Sequence, residues 1–161
     1  MMNFHIRVRA CALIIENDSV LLVEFTDEDG IHYNLPAGGA EPGETIIEAV
    51  RREAKEEAGV DVEVGSLVFV SEDAPHVSKI DISFHSLSLM FNCKIKDGSI
   101  PHFPSNPDPN QTGVKWIPLS QLENIILYPN IKEQITQYVK GELNEGQFIN
   151  EFDLKEQKIL N

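Results

Sequence analysis

Residues 38–60 read GGAEPGETIIEAVRREAKEEAGV and crowd Glu41, Glu44, Glu48, Glu53, Glu56 and Glu57 into one glycine-bounded stretch. Like charges at that density repel, so the pattern asks for a cation that makes the crowding favourable. At about 100° per residue, Glu53 and Glu57 lie about 40° apart on a helix and Glu56 flanks them, which sets three carboxylates along one edge. A plain solvated face would interleave lysines, yet Lys55 falls toward the opposite side. A Glu pair at i,i+4 costs a few tenths of a kcal/mol in an isolated helix (about 0.2–0.5). The carboxylates also sit in the C-terminal half, where the helix dipole disfavours negative charge. Hard cations such as Mg²⁺ or Mn²⁺ prefer carboxylate oxygen and would relieve all three penalties. Glycines 38, 39 and 43 allow sharp turns and close backbone approach to a ligand, and a bare loop carbonyl is a further metal donor.

The flanking sequence contains the elements needed to position these groups. Thr45 with Glu48 makes a capping box and Gly59 stands where a left-handed C′ residue is wanted, predicting a helix over 46–58. Its stripe of Ile47, Val50, Ala54 and Ala58 would lie on a sheet. Upstream, residues 4–15 and the run from Val20 predict two antiparallel strands joined by a turn at ENDS, and IHYNLP a short extended piece before the glycine-rich loop. Downstream, VDVEVGSLVFV alternates as a strand. KIDISFHSLSLMFNCKI is a long β run whose apolar parity shifts near Ser86, as at a bulge. Residues 97–113 carry four prolines and no periodicity and predict an exposed loop. VKWIPL predicts a strand, SQLENI a short helical turn, and NIKEQITQYVKG a helix ended by Gly141. From Glu142 on, a tail containing Phe148, Ile149, Phe152 and Leu154 is expected to pack as a helix or to form an arm to a partner.

A chain of 161 residues, 42% of them apolar, suits one domain with one continuous core. Lys and Arg total 13 against 26 Asp and Glu, a net charge of −13, which speaks against a nucleic-acid partner because phosphate-backbone binders need clustered positive charge. A small phosphorylated molecule stays compatible, provided divalent ions screen it from the protein. Cys11 and Cys93 lie in apolar runs, far apart in sequence, and read as core thiols. The apolar run after Arg7 and Arg9, from Ala10 to Ile15, is too short for a signal segment or a membrane span, so the expected location is cytoplasmic, without a membrane partner.

Gly38, five residues, Glu44, seven residues and then Arg52-Glu53-Ala54-Lys55-Glu56-Glu57-Ala58-Gly59-Val60 resemble a complete Nudix box. Ala54 departs from it, being the smallest residue where an aliphatic one is usual. YNLPAGGAEPGET is similar to the family's lead-in and VKWIPLSQL to its closing strand and turn. The likeness spans about residues 5–140, giving a domain at 1–141 and a tail at 142–161. It implies an α/β fold, an α/β/α sandwich with a mixed β-sheet. It also implies Mg²⁺- or Mn²⁺-dependent attack of water on phosphorus in a nucleoside diphosphate linked to another moiety. By resemblance, Glu53 and Glu57 are the principal metal ligands, Glu56 a further ligand or water contact, and the Gly38 carbonyl a backbone ligand. Arg52 orients a motif glutamate, and Glu44 braces the loop or helps a second metal; a simple Arg52–Glu44 ion pair stabilising the loop is the alternative. Glu56 and Glu57 are the candidate general bases in the box. Outside it, Glu72, Asp73 and Asp108 read as ordinary loop charge, although their loops could reach the site. Clustered carboxylates compete for protons until metal binds, so activity is expected to fall in mild acid.

Substrate clues are fewer. Tyr33 and Phe103 are aromatics that could stack on a nucleobase, with Gly39 offering close backbone approach, while Trp116, inside a strand-like run, reads as core. Pro75, 15 residues past the box, stands where ADP-ribose-type members tend to carry a proline. His76, His85 and His102 show no metal-ligand spacing. Three readings follow: a pyrophosphohydrolase of the ADP-ribose or nucleotide-sugar type, the same chemistry on a nucleoside triphosphate, or a nucleotide-binding module without turnover. A homodimer is expected from family habit and from the apolar tail.

Overall fold

The computed structural model describes residues 5–74 and 85–157. Strands β1 (Arg7–Glu16) and β2 (Ser19–Asp27) form a hairpin whose turn residues Asn17 and Asp18 have φ of 49° and 56°. Asn and Asp tolerate that left-handed backbone, and its twist matches the strands it joins. From Ala10 to Ile14 every residue of β1 is buried, because the strand is covered on both faces.

Around β1 the sheet is mixed. It pairs antiparallel with β4 (Ala37–Gly39) and parallel with β6 (Ser86–Ile95); β6 pairs antiparallel with β5 (Val62–Asp73), and β8 (Gln147–Asn150) adds parallel to β5. Strand β2 carries β3 (Gly30–Asn34) and β7 (Gln111–Pro118), both antiparallel. On one face, helix α1 (Ile46–Ala58) packs Ala49, Val50, Ala54 and Ala58 near Ala10, Ala12, Ile14 and Leu21. On the other, Cys11, Leu13, Val20 and Leu22 meet Leu127, Ile131 and Ile135, the last from helix α2 (Lys132–Val139). The α/β/α sandwich is therefore present. Ala54 has no exposure at all, and such small side chains allow a helix axis to approach a sheet closely.

Both predicted ends of α1 are present. Glu48 N donates to Thr45 Oγ1 at 3.2 Å while Thr45 N donates to Glu48 Oε2 at 2.7 Å. Gly59, at φ 70°, donates to Lys55 O, and Val60 N donates to Ala54 O.

Several expectations change. The loop over 97–113 ends earlier, since Gln111 to Gly113 already belong to β7, and it is tied to α1: His102 N donates to Ala58 O and Gln111 Nε2 to Glu57 O, satisfying carbonyls that a helix end leaves open. Trp116 is exposed on β7 rather than part of the core, lying beyond Val114, the last residue of its side of the strand to pack against the core under α1. In the tail, 147–150 form a strand instead of a helix, followed by a 3-10 turn at Glu151–Asp153. Register shifts in the β5–β6 ladder fall between Val64 and Phe69 rather than near Ser86. Residues 75–84, including Pro75 and His76, lie outside the described residues.

Candidate functional site

The box glutamates open onto a cavity of about 410 Å³ between α1, β1 and β4. Glu53, Glu56, Glu57, Arg52, Gly38 and Gly39 all line it. Larger cavities of about 550 and 510 Å³, near α2 and the C-terminal segment, contain none of these residues.

Arg52 is the hub. Its Nε and Nη2 donate to Glu44 Oε2 and Oε1 at 3.0 and 2.6 Å, a two-pronged pair with the preferred guanidinium–carboxylate geometry. Nη2 also donates to Gly39 O at 3.0 Å, and Nη1 reaches Glu53 Oε1 at 2.6 Å and Glu56 Oε2 at 3.3 Å. Glu44 in turn accepts from Glu41 N at 2.8 Å, so the glycine-rich loop is fastened to the helix through one side chain. The Arg52 hydrogen bonds, helped by that of the Glu41 N–H, hold the Glu44 carboxyl below its ordinary value. Arg52 thus pairs with Glu44 in the loop and touches Glu53 and Glu56 on the helix at the same time.

Glu53 and Glu57 are more buried than the rim of a solvated helix would allow, at 7% and 5% exposure. Burial raises the Glu53 carboxyl above its ordinary value, against the opposing pull of Arg52, with Glu56 and Asp108 adding to the rise. Burial likewise pushes Glu57 up to about 8, opposed by the Ala37 N–H at 3.1 Å and reinforced by Glu53 and Asp108. Glu57 thus holds a proton near neutrality and would surrender it to a better cation.

The glycines have a geometric reason. A Cβ at Gly38 would collide with the Glu53 carboxylate, while one at Gly39 would sit 3.0 Å from Arg7 Nε. Neighbouring strand residues face opposite sides, so each glycine makes room for one charged side chain, one from either side of β4.

The donor set suits a hard divalent cation: two buried carboxylates, of which Glu57 has no ion-pair partner among the described residues, beside a cradle that a Cβ would fill. The expected convergence of three carboxylates needs correction, however. Among the described residues no three acidic, histidine or cysteine side chains are arranged to share an ion. Arg52 Nη1 holds Glu53 and Glu56 together, and Glu56 is largely exposed.

Asp108 lines the cavity, brought there by the loop anchored on the end of α1. Glu72 instead pairs with His85 at 3.1 Å, and Asp73 lines a different cavity. Tyr33 and Phe103 do not line the site. Tyr33 donates its hydroxyl to Glu24 Oε2 at 2.8 Å, and Phe103 is exposed on the loop. Sequence reasoning missed Arg7, Arg9, Phe25 and Asn34, all of which line the cavity. The legible signal for the arginines was their spacing of two on a strand, which puts both on one face.

A sequence model of the NUDIX domain matches residues 5–139. The chain belongs to the NUDIX family. Human 8-oxo-dGDP phosphatase NUDT18 is 43% identical over 77 residues, covering 44% of this chain and 24% of that protein. The nucleoside triphosphatase NudI of Enterobacter sp. (strain 638) is 39% identical over 61 residues, covering 36% and 43%. These matches span about a quarter to under half of the relatives' own length. Among solved structures, a NUDIX hydrolase from Nitrosomonas europaea superposes with a TM-score of 0.69 at 24% identity, covering 88% of this NUDIX chain and 94% of the other. An ADP-ribose pyrophosphatase from Streptococcus suis gives 0.60 at 24% identity, covering 89% and 99%. At that identity the likeness is one of fold. No helix among the described residues is long and apolar enough to cross a membrane.

Proposed function

We propose that this NUDIX chain hydrolyses a pyrophosphate bond in a nucleotide, with a nucleoside diphosphate linked to another moiety, of the ADP-ribose or nucleotide-sugar type, as the leading substrate class. The observation that carries the reading is the pair of buried carboxylates, Glu53 and Glu57, facing a polar cavity, with Gly38 leaving the space that the Glu53 carboxylate fills. Glu53, Glu57 and the Gly38 carbonyl would hold Mg²⁺ or Mn²⁺. When bound, the metal supplies charge neutralisation at the phosphates and lowers the pKa of a coordinated water.

The remaining chemistry belongs to the chain itself. Arg52 keeps Glu53 and the Gly38–Gly39 end of β4 in register, so the donors are placed before substrate arrives. Glu56, exposed and at the cavity rim, is the residue best placed to take a proton from the attacking water; Glu57, held by the Ala37 N–H, is better suited to ligation. The relatives' names favour a second reading, the same cleavage on a nucleoside di- or triphosphate, including oxidised guanine nucleotides.

A panel of ADP-ribose, nucleotide sugars, and normal and oxidised nucleoside di- and triphosphates with Mg²⁺ or Mn²⁺, read by mass spectrometry, tests both. AMP plus a sugar phosphate supports the first reading, and a nucleoside monophosphate plus phosphate or pyrophosphate the second. No turnover, combined with ligand-dependent shifts in melting temperature, would replace both with a binding module.

A further inference from the structure

Arg7 and Arg9 stand two apart on β1, so their side chains leave the same face of the strand, and both line the cavity that holds Glu53 and Glu57. In a chain of net charge −13, an arginine would ordinarily be taken up by a carboxylate. Yet among the described residues neither guanidinium has an ion-pair partner or a side-chain hydrogen bond; Arg9 feels Glu57 and Glu151 only through longer-range attraction. Arg52, the third cation in the lining, is already committed to Glu44 and Glu53. The fold also makes space for Arg7, whose Nε lies against Gly39, the residue that pairs with Arg9 across the β1–β4 ladder.

Two unspent guanidinium groups therefore face a cavity that also carries Glu41, Glu53, Glu56, Glu57 and Asp108. Those carboxylates repel a diphosphate. We propose that Arg7 and Arg9 form an anion clamp for the phosphoryl group of the pyrophosphate that is not attacked, fixing affinity for the diphosphate rather than the rate of its cleavage. The clamp rests on the hydrolase reading for its substrate, but its chemistry is recognition of phosphate oxygens by planar donor forks, for which Lys is a poor replacement. Arg7 and Arg9 thus act by direct contact with the substrate, and a packing role is disfavoured because Arg7 is exposed.

The test is isothermal titration of the full chain with Mg²⁺ and imidodiphosphate, whose P–N–P bridge resists hydrolysis, comparing wild type with Arg7→Gln, Arg9→Gln, the double variant, Arg7→Lys, and Arg51→Gln as a control. Arg51 is exposed on α1 and absent from the cavity, so it removes the same charge without touching the clamp. The expected result is about tenfold weaker binding for each Gln variant, about a hundredfold for the pair, incomplete recovery in Arg7→Lys, and no change in Arg51→Gln. With a turned-over substrate, KM rises and kcat stays within about threefold. Unchanged affinity in the Gln variants, equal weakening in Arg51→Gln, or no binding by wild type overturns the clamp. Arginine-dependent binding without turnover of any nucleotide keeps the clamp and removes the hydrolase reading; turnover with KM unmoved in the variants does the reverse.

Discussion

Replacing Glu57 with Gln should stabilise the metal-free protein while abolishing its chemistry. The folded Glu57 carboxyl is raised from an ordinary 4.5 to about 8, so the folded state binds more protons than the unfolded one between those values, and stability falls as pH rises through that window. At about 1.4 kcal/mol for each whole number of pKa, the carboxylate costs about 4 kcal/mol at pH 8 and under about 1 kcal/mol at pH 5. Gln keeps the acceptor for the Ala37 N–H and removes the charge. In EDTA, Glu57→Gln should then exceed wild type by up to about 3 kcal/mol at pH 8, with the gap narrowing at pH 5. Urea unfolding at both pH values measures it. Wild type should also gain more from added Mg²⁺ at pH 8 than at pH 5, because the metal takes the place of the proton, whereas the variant gains little. Turnover should drop by about three orders of magnitude or more. A variant no more stable than wild type at pH 8, or equally active, would refute the assignment of Glu57 as a buried, metal-seeking carboxylate.

Gly38→Ala drives a methyl group into the Glu53 carboxylate; since a flexible side chain can yield, the melting temperature should fall modestly while kcat/KM falls at least about a hundredfold. Wild-type activity in that variant would mean that Glu53 need not sit where the structure puts it. Gln111→Ala frees the Glu57 carbonyl and loosens the loop that carries Asp108; the expected signature is faster amide exchange at the end of α1, with about 1–2 kcal/mol lost in urea unfolding. Thr45→Ala removes half of the capping box and should cost about 1 kcal/mol, a few degrees of melting temperature, with turnover unaffected.

Local signals were the most legible ones. Thr45, Glu48 and Gly59 fix α1 because capping is decided within a few residues, and the i,i+4 spacing put Glu53 and Glu57 on one edge before any fold was known. Asn17 and Asp18 marked the first hairpin for the same reason. What could not be read depends on contacts distant in sequence. Gln111 reaches Glu57 across 54 positions, and that bond turns a proline-rich stretch into a fixed wall of the cavity. Arg7 reaches the site only because β4 returns alongside β1. Trp116 read as core because a sequence does not show where along a strand the covering layer stops, and residues 147–150 form a strand only because β5 offers an edge to join.

That last pairing bears on solubility. Strand β5 would end the sheet with a row of unpaired amides and carbonyls, a template onto which a second polypeptide could add. The four residues of β8 occupy its positions from Phe69 to Glu72 and so cover one end of that border. A shortened chain lacking residues 142–161 would keep every motif glutamate yet expose the backbone groups of Phe69 to Glu72 to strand addition by a second polypeptide.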